Sequence, residues 1–242
     1  MFCVFITTNL CAQGVTKYGE ITTTSTNFVD KNGKIGSLAM VDIYGKILCG
    51  NPLTINHTAG TGAPANLTIN YGTVATNLSG ASKCWITQDL GATTQAASAT
   101  DASNAAAGWY WQFNRMQGYA VGSTPAWGSK NINETSDWLP ANDPCTLELG
   151  TGWRIPTQTE WTIVSTGWIT YTDAYVSVLK LHAAGYLTNT FGALTSSGTN
   201  GYYWSSAQDG KTDGWRLGFA SGASTMGNSS KASGYSLRCL RD

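Results

Sequence analysis

Charge is what this sequence lacks. Asp, Glu, Lys and Arg make up 12% of its 242 residues, about half the share usual in soluble domains. Basic and acidic residues number 14 each, the net charge is zero, and no basic run occurs. Nucleic acid and anionic membrane surfaces are excluded as partners, because phosphate binding needs concentrated Lys and Arg. Histidine is nearly absent, with only His57 and His182. A Ser-His-Asp triad has little to build on; His57 falls in a Gly- and Asn-rich loop region, His182 in an expected strand, and both read as structural or solvated. No Cys-x-x-Cys occurs, which removes support for a thiolate zinc site. Glu134, Glu148 and Glu160 show no spacing that argues for a glycosidase pair. The Glu-Pro-Asn and Trp-Asn-Asp motifs of calcium-dependent sugar binders are missing, and Trp138 to Asp143 is a loose echo of the second. No catalytic residue, metal ligand or cofactor is therefore expected. No apolar run reaches the ~20 residues a membrane span requires.

Glycine (28), tryptophan (10) and tyrosine (11) are plentiful, and Ser and Thr fill most surface-type positions. A hydroxyl-rich surface with little charge repulsion associates easily with copies of itself. The opening MFCVFITTNLCAQ reads as the end of a signal peptide, with Phe2 to Ile6 as the apolar stretch and Cys11-Ala12-Gln13 as a small-residue cleavage region, though no basic segment precedes it. Setting aside Cys3 and Cys11 leaves Cys49, Cys84, Cys145 and Cys239, among which spacing alone does not choose a pairing. Disulfides in an oxidising compartment fit export.

Past the leader (1–13) the chain divides into three parts. Residues 14–35 are Thr-rich and β-favouring, with a Lys31-Asn32-Gly33 turn signal, and carry too few apolar residues to build a core. This extended arm, with Val15, Tyr18, Ile21, Phe28 and Val29 as its apolar positions, must join a sheet of its own chain or of another subunit. Residues 36–82 hold short strand-like runs, such as Asn66-Leu67-Thr68-Ile69-Asn70-Tyr71 with its period of two, and read as a small β-rich subdomain. From Lys83 onward the chain is dense in aromatics, and all its tryptophans lie here. Thr157 to Glu160 is a capping box that places Trp161 and Val164 on one face of a short helix. A second short helix is expected within Ala92 to Ala107. Tyr202–Ser206, Trp215–Phe219 and Tyr235–Leu240 read as three antiparallel strands. The overall expectation is a mainly β, α+β fold with a few short helices.

Cys145, Gly152-Trp153-Arg154-Ile155-Pro156-Thr157 and Glu160-Trp161 carry a family resemblance. They resemble the GWRLPT..EW signature of the Fibrobacter succinogenes major paralogous (FISUMP) domain. Later blocks of that family match Ala184-Gly185-Tyr186, Gly201 to Ser206 and Ser236 to Arg241 in order. Opening blocks match Cys84 to Leu90 and Gly108 to Arg115, so the resemblance covers residues 83–242. It implies a C-type-lectin-like fold akin to formylglycine-generating enzymes and hypervariable receptor-binding proteins. It further implies that Cys145 pairs with Cys239, leaving Cys49 with Cys84, and that Leu179 to Leu187 is a strand. The reactive cysteines of the enzyme branch are not carried over, since the cysteines here read as structural.

Trp153, Trp161 and Trp204 are expected in the core. The loops around Asp209, Lys211 and Asp213 and from Ser221 to Ser233, including Asn228, are candidates for a ligand surface. Sequons at Asn56, Asn66, Asn77, Asn133 and Asn228 make glycosylation a candidate modification. The expected function is that of an exported, non-enzymatic structural or adhesive protein at the cell surface. It would self-assemble into a filament or pilus-like polymer by N-terminal strand exchange, with copies of itself as partners. The alternative is a monomeric adhesin that binds glycan or protein through its C-type-lectin-like loops.

Overall fold

The computed structural model describes residues 49–60, 62–122 and 126–242, together with the backbone of 27–29 and 35–37. The signal-peptide reading and the arm positions Val15, Tyr18 and Ile21 lie outside the described residues. Asn27–Val29 (β1) and Ile35–Ser37 (β2) pair antiparallel, with Phe28 opposite Gly36 and Val29 opposite Ile35. The segment between them carries the Lys31-Asn32-Gly33 signal, which suits a hairpin turn. This hairpin is a sheet by itself and is joined to no other described strand.

Leu53–His57 (β3) and Leu67–Tyr71 (β4) form a second hairpin, which keeps the expected alternation: Ile69 and Tyr71 are buried, Thr68 and Asn70 exposed. Thr73–Thr76 (β5) then pairs with Lys83–Ile86 (β6). Asn104–Ala107 (α1) precedes two short strands, Tyr110–Trp111 (β7) and Gly118–Tyr119 (β8). Pro144–Leu149 (α2), Trp153–Arg154 (β9), Gln158–Val164 (α3) and Tyr171–Val176 (α4) follow. The chain ends in Tyr186–Leu187 (β10), Leu194–Thr195 (β11), Gly201–Asp209 (β12), Asp213–Phe219 (β13), Ser224–Ser230 (β14) and Leu240–Arg241 (β15).

Two sheets organise these elements. The first has the order β5-β6-β15-β9, so the last strand of the chain fills the gap between β6 and β9. The second is the meander β12-β13-β14. Buried aromatics fill the space around them: Trp85, Trp111, Trp161 and Trp204 are fully enclosed. Leu53, Ile69 and Tyr71 share one cluster with Trp109, Trp111 and Trp204, so residues 49–82 pack into the same core as the aromatic region. The fold is mainly β with a few short helices, as the strand patterning indicated. Disulfides join Cys49 to Cys84 and Cys145 to Cys239, the two pairings the resemblance implied.

Helix α3 forms where the capping box placed it. The Thr157 hydroxyl accepts from the Glu160 amide at 3.1 Å, and the Glu160 carboxylate accepts from the Thr157 amide at 2.8 Å. Trp161 and Val164 then turn into the core, and Trp153 and Trp204 are buried as expected.

Three local expectations are corrected. The strand expected over Leu179 to Leu187 shrinks to β10, and a second capping box, Thr170 with Asp173, starts α4. Ser221 to Ser233 is not simply loop, because β14 pairs residue by residue with β13. The segment Tyr235–Leu240 does not complete that meander. Tyr235 and Ser236 make isolated bridges to Trp111 and Tyr203, while Leu240 joins the other sheet. The short helix expected within Ala92 to Ala107 is α1; before it, the Asp101 carboxylate accepts from the amides of Ala97 and Ser103 and holds the chain in a turn.

Candidate functional site

The residues with chemical potential are already committed to one another in the interior. His57 is not in a loop but ends β3, buried, with Nδ1 2.6 Å from Glu148 Oε2 and Nε2 2.9 Å from the Tyr71 hydroxyl. The second Glu148 oxygen accepts from the Ala63 amide at 2.9 Å. This relay ties the β3–β4 hairpin to α2, the helix that carries Cys145. Burial raises the Tyr71 hydroxyl far above the phenol range, so it serves as a neutral hydrogen-bonding group.

A second buried network lies under β6 and β12. Asp89 accepts from Arg238 Nη2 at 2.5 Å and from the Tyr203 hydroxyl at 3.0 Å, while Arg238 Nη1 donates to the Leu179 carbonyl at 2.6 Å. His182 lies beside it in irregular chain, its Nδ1 3.7 Å from Asp89, and neither ring nitrogen has a hydrogen-bond partner among the described residues. Burial holds its pKa below the ordinary value of 6.5, against the pull of Asp89. Glu134 and Glu160 are taken up separately, by Arg115 and Arg154. Among the described residues, no three His, Cys, Asp or Glu side chains are grouped to hold a metal ion.

The ligand-loop candidates gather at one end of the β12-β13-β14 meander. Asp209 and Asp213 face each other across the turn that contains exposed Lys211, and Asn228 on β14 donates to Asp209. Buried Lys231 fixes the turn from beneath, its ammonium donating to the carbonyls of Gly210 at 2.9 Å and Glu134 at 2.5 Å. An ammonium satisfied by carbonyl dipoles holds the turn in one conformation. Burial lowers the Lys231 pKa, and Glu134, Asp213 and Asp137 oppose that effect.

Strand β14 is the outer member of this meander. From Ser224 to Ser229 its outer edge makes no backbone–backbone hydrogen bond with any described residue. Its sequence STMGNSS carries no charge and no proline, and its register with β13 runs from Ser224 to Ser230 without a bulge. These are the devices by which edge strands normally avoid pairing with another chain. All are missing here.

One face of the same meander carries a group that the sequence reading did not single out. Arg216 and Tyr202 project from it together, and the guanidinium lies 4.7 Å from the Tyr202 ring centre. Tyr202 stacks on Tyr235 at 5.2 Å and 24°, and Tyr186 meets both rings edge-on. The available signal was an arginine within the apolar strand run Trp215-Arg216-Leu217-Gly218, but the tyrosines come from distant segments. The five sequon asparagines Asn56, Asn66, Asn77, Asn133 and Asn228 are all exposed.

These features define a disulfide-linked, mainly β protein whose β12-β13-β14 meander has an open edge at β14 and an aromatic–arginine face. A family model described as "Domain of unknown function (DUF8237)" matches residues 162–240, from within α3 to the first residue of β15. Neither the curated proteins nor the solved structures contain a match. Among the described residues no helix is long and apolar enough to cross a membrane.

Proposed function

We propose that this chain is an exported surface protein, structural or adhesive rather than enzymatic, that assembles with copies of itself by strand addition. Residues 14–35 of one copy, including β1, dock on β14 of the next. The observation that carries this reading is a pair of unsatisfied edges. The β1–β2 hairpin belongs to no larger sheet, and a two-stranded hairpin is marginal in water on its own. Strand β14 offers seven residues of uncharged, unbulged edge, and main-chain hydrogen bonds along such an edge supply affinity. A head-to-tail contact of this kind propagates into a fibre when it does not close into a ring. The two disulfides suit an oxidising, extracellular setting. The same reading takes residues 83–242 as a FISUMP-like domain of C-type-lectin-like fold, a view supported by the Cys145–Cys239 closure.

Electron microscopy of the secreted chain tests the proposal. Wild type is expected as polymers, and deletion of residues 14–35 as monomers. Asn228→Lys, which places a charge on the exposed edge of β14, is expected to shorten or abolish them. Unchanged polymers in both variants would remove the arm from the account.

A further inference from the structure

We propose that Arg216, with Tyr186, Tyr202 and Tyr235, forms a binding site for a carboxylated sugar, a uronic-acid unit of an acidic glycan. This goes beyond assembly, since it lies on a face of the meander rather than on its edge. It begins with an arginine that lacks a counter-ion. Arg115, Arg154 and Arg238 each hold a carboxylate within 4.0 Å, whereas no carboxylate of a described residue lies within that distance of Arg216. The side chain is half-buried, so its charge is partly desolvated and gains more from an anion than an exposed one would. Only Nε has a protein acceptor among the described residues, the Ser229 hydroxyl at 3.1 Å. Both terminal nitrogens remain for a ligand, the geometry that receives a carboxylate in a two-point contact.

The site is fixed before any ligand arrives. Gly218 lies so near that a Cβ added there would overlap Arg216 Nη1. A Cβ at Gly227 would stand 3.5 Å from each of Nη1, Nη2 and the carbon between them, so the guanidinium lies flat over that strand. The Tyr202 ring, the Ser229 hydroxyl and the two glycines thus hold the cation in one orientation. The Tyr235 phenol is pushed up by burial and eased back by Ser229 and by the nearby Arg216 charge, which puts a neutral hydroxyl beside the guanidinium.

The surroundings select a sugar over a bare anion. Tyr202 is already engaged by the Arg216 guanidinium and by Tyr235, so half-buried Tyr186 is the ring that offers aromatic surface to the C–H face of a pyranose. Phenol, Ser229 and Thr225 hydroxyls supply donors and acceptors for ring hydroxyls. Aromatic walls with a few placed polar groups are the usual make-up of a small-molecule site. Only the carboxylate needs the cation, so the acid is what distinguishes this sugar from neutral ones.

Titration calorimetry on the full chain, paired with amide and Arg216 Nε–H shifts by NMR, tests this. The probes are oligogalacturonate, neutral oligogalactose, acetate and an aspartate-rich peptide. Oligogalacturonate is expected to bind about tenfold or more tightly than each of the others, the increment of a charge-assisted hydrogen bond. Arg216→Gln is expected to lose at least about tenfold, and Arg216→Lys to recover only part of it because an ammonium makes no two-point contact. Melting temperature and circular dichroism establish that both variants fold; Tyr186→Phe, which keeps the ring, serves as a second, milder variant expected to retain binding of the acid over the neutral sugar. Equal binding of acidic and neutral sugar, or unchanged affinity in folded Arg216→Gln, would overturn the site. Tighter binding of the peptide than of oligogalacturonate would overturn its assignment to a sugar.

Discussion

Removing the disulfides one at a time gives costs that the chain's own spacing sets. Cys145 and Cys239 are 94 residues apart, Cys49 and Cys84 are 35. In the loop-entropy model these separations correspond to about 4.7 and about 3.8 kcal/mol at 25 °C. The loops do not overlap in sequence, so the two terms add, and their sum is comparable with the ~5–15 kcal/mol total stability of a typical domain. Cys145 and Cys239 are fully enclosed while Cys49 is only partly so, and lost packing widens the gap in the same direction. The test replaces each pair by alanine, which buries no new hydroxyl, and follows urea unfolding by tryptophan fluorescence. Cys145→Ala with Cys239→Ala is expected to cost about 5 kcal/mol, a Tm drop of about 10–20 °C. Cys49→Ala with Cys84→Ala is expected to cost about 1 kcal/mol less. An equal or larger cost for the shorter loop would refute the reasoning and place the stabilisation in the native state instead.

Two further outcomes concern the buried network under β6 and β12. Asp89→Asn leaves Arg238 charged and enclosed, so a loss of about 3–5 kcal/mol is expected in the same unfolding assay; pairing it with Arg238→Met should recover a large part, and a loss below about 1 kcal/mol would mean the ion pair is not formed. For His182 the folded pKa is lowered while the unfolded value stays near 6.5, so the unfolded chain takes up the proton first. Its contribution is complete above pH 6.5 and is lost as pH falls below that value, by at most about 1.4 kcal/mol per pH unit. The lowered pKas of Asp101, Glu160 and Asp242 act only in the more acidic carboxylate range. An NMR titration of the His182 ring with a midpoint at or above 6.5 would contradict this.

Elements whose signals are local were legible. The Thr157–Glu160 box names α3, its Trp161 and Val164 face the core, and the aromatic strands Tyr202–Ser206 and Trp215–Phe219 lie within β12 and β13. Strand β14 was not legible, because STMGNSS has almost no β-branched or aromatic residue and is extended only through its pairing with β13. Tyr175-Val176 has β-favouring side chains, but the Thr170–Asp173 cap just upstream draws it into α4. His57 and His182 read as structural or solvated without named partners because Glu148 and Asp89 are far away in sequence. The Arg216 face was invisible for the same reason, since its tyrosines come from β10, β12 and the segment just before β15.

Hydrogen exchange along β14, compared between dilute and concentrated full-length protein, tests strand addition most directly. The amides of Thr225 to Ser229 that face away from β13 should exchange fast in the dilute monomer and become strongly protected on assembly. Exchange in β14 that stays fast while the protein polymerises would contradict strand addition at this edge.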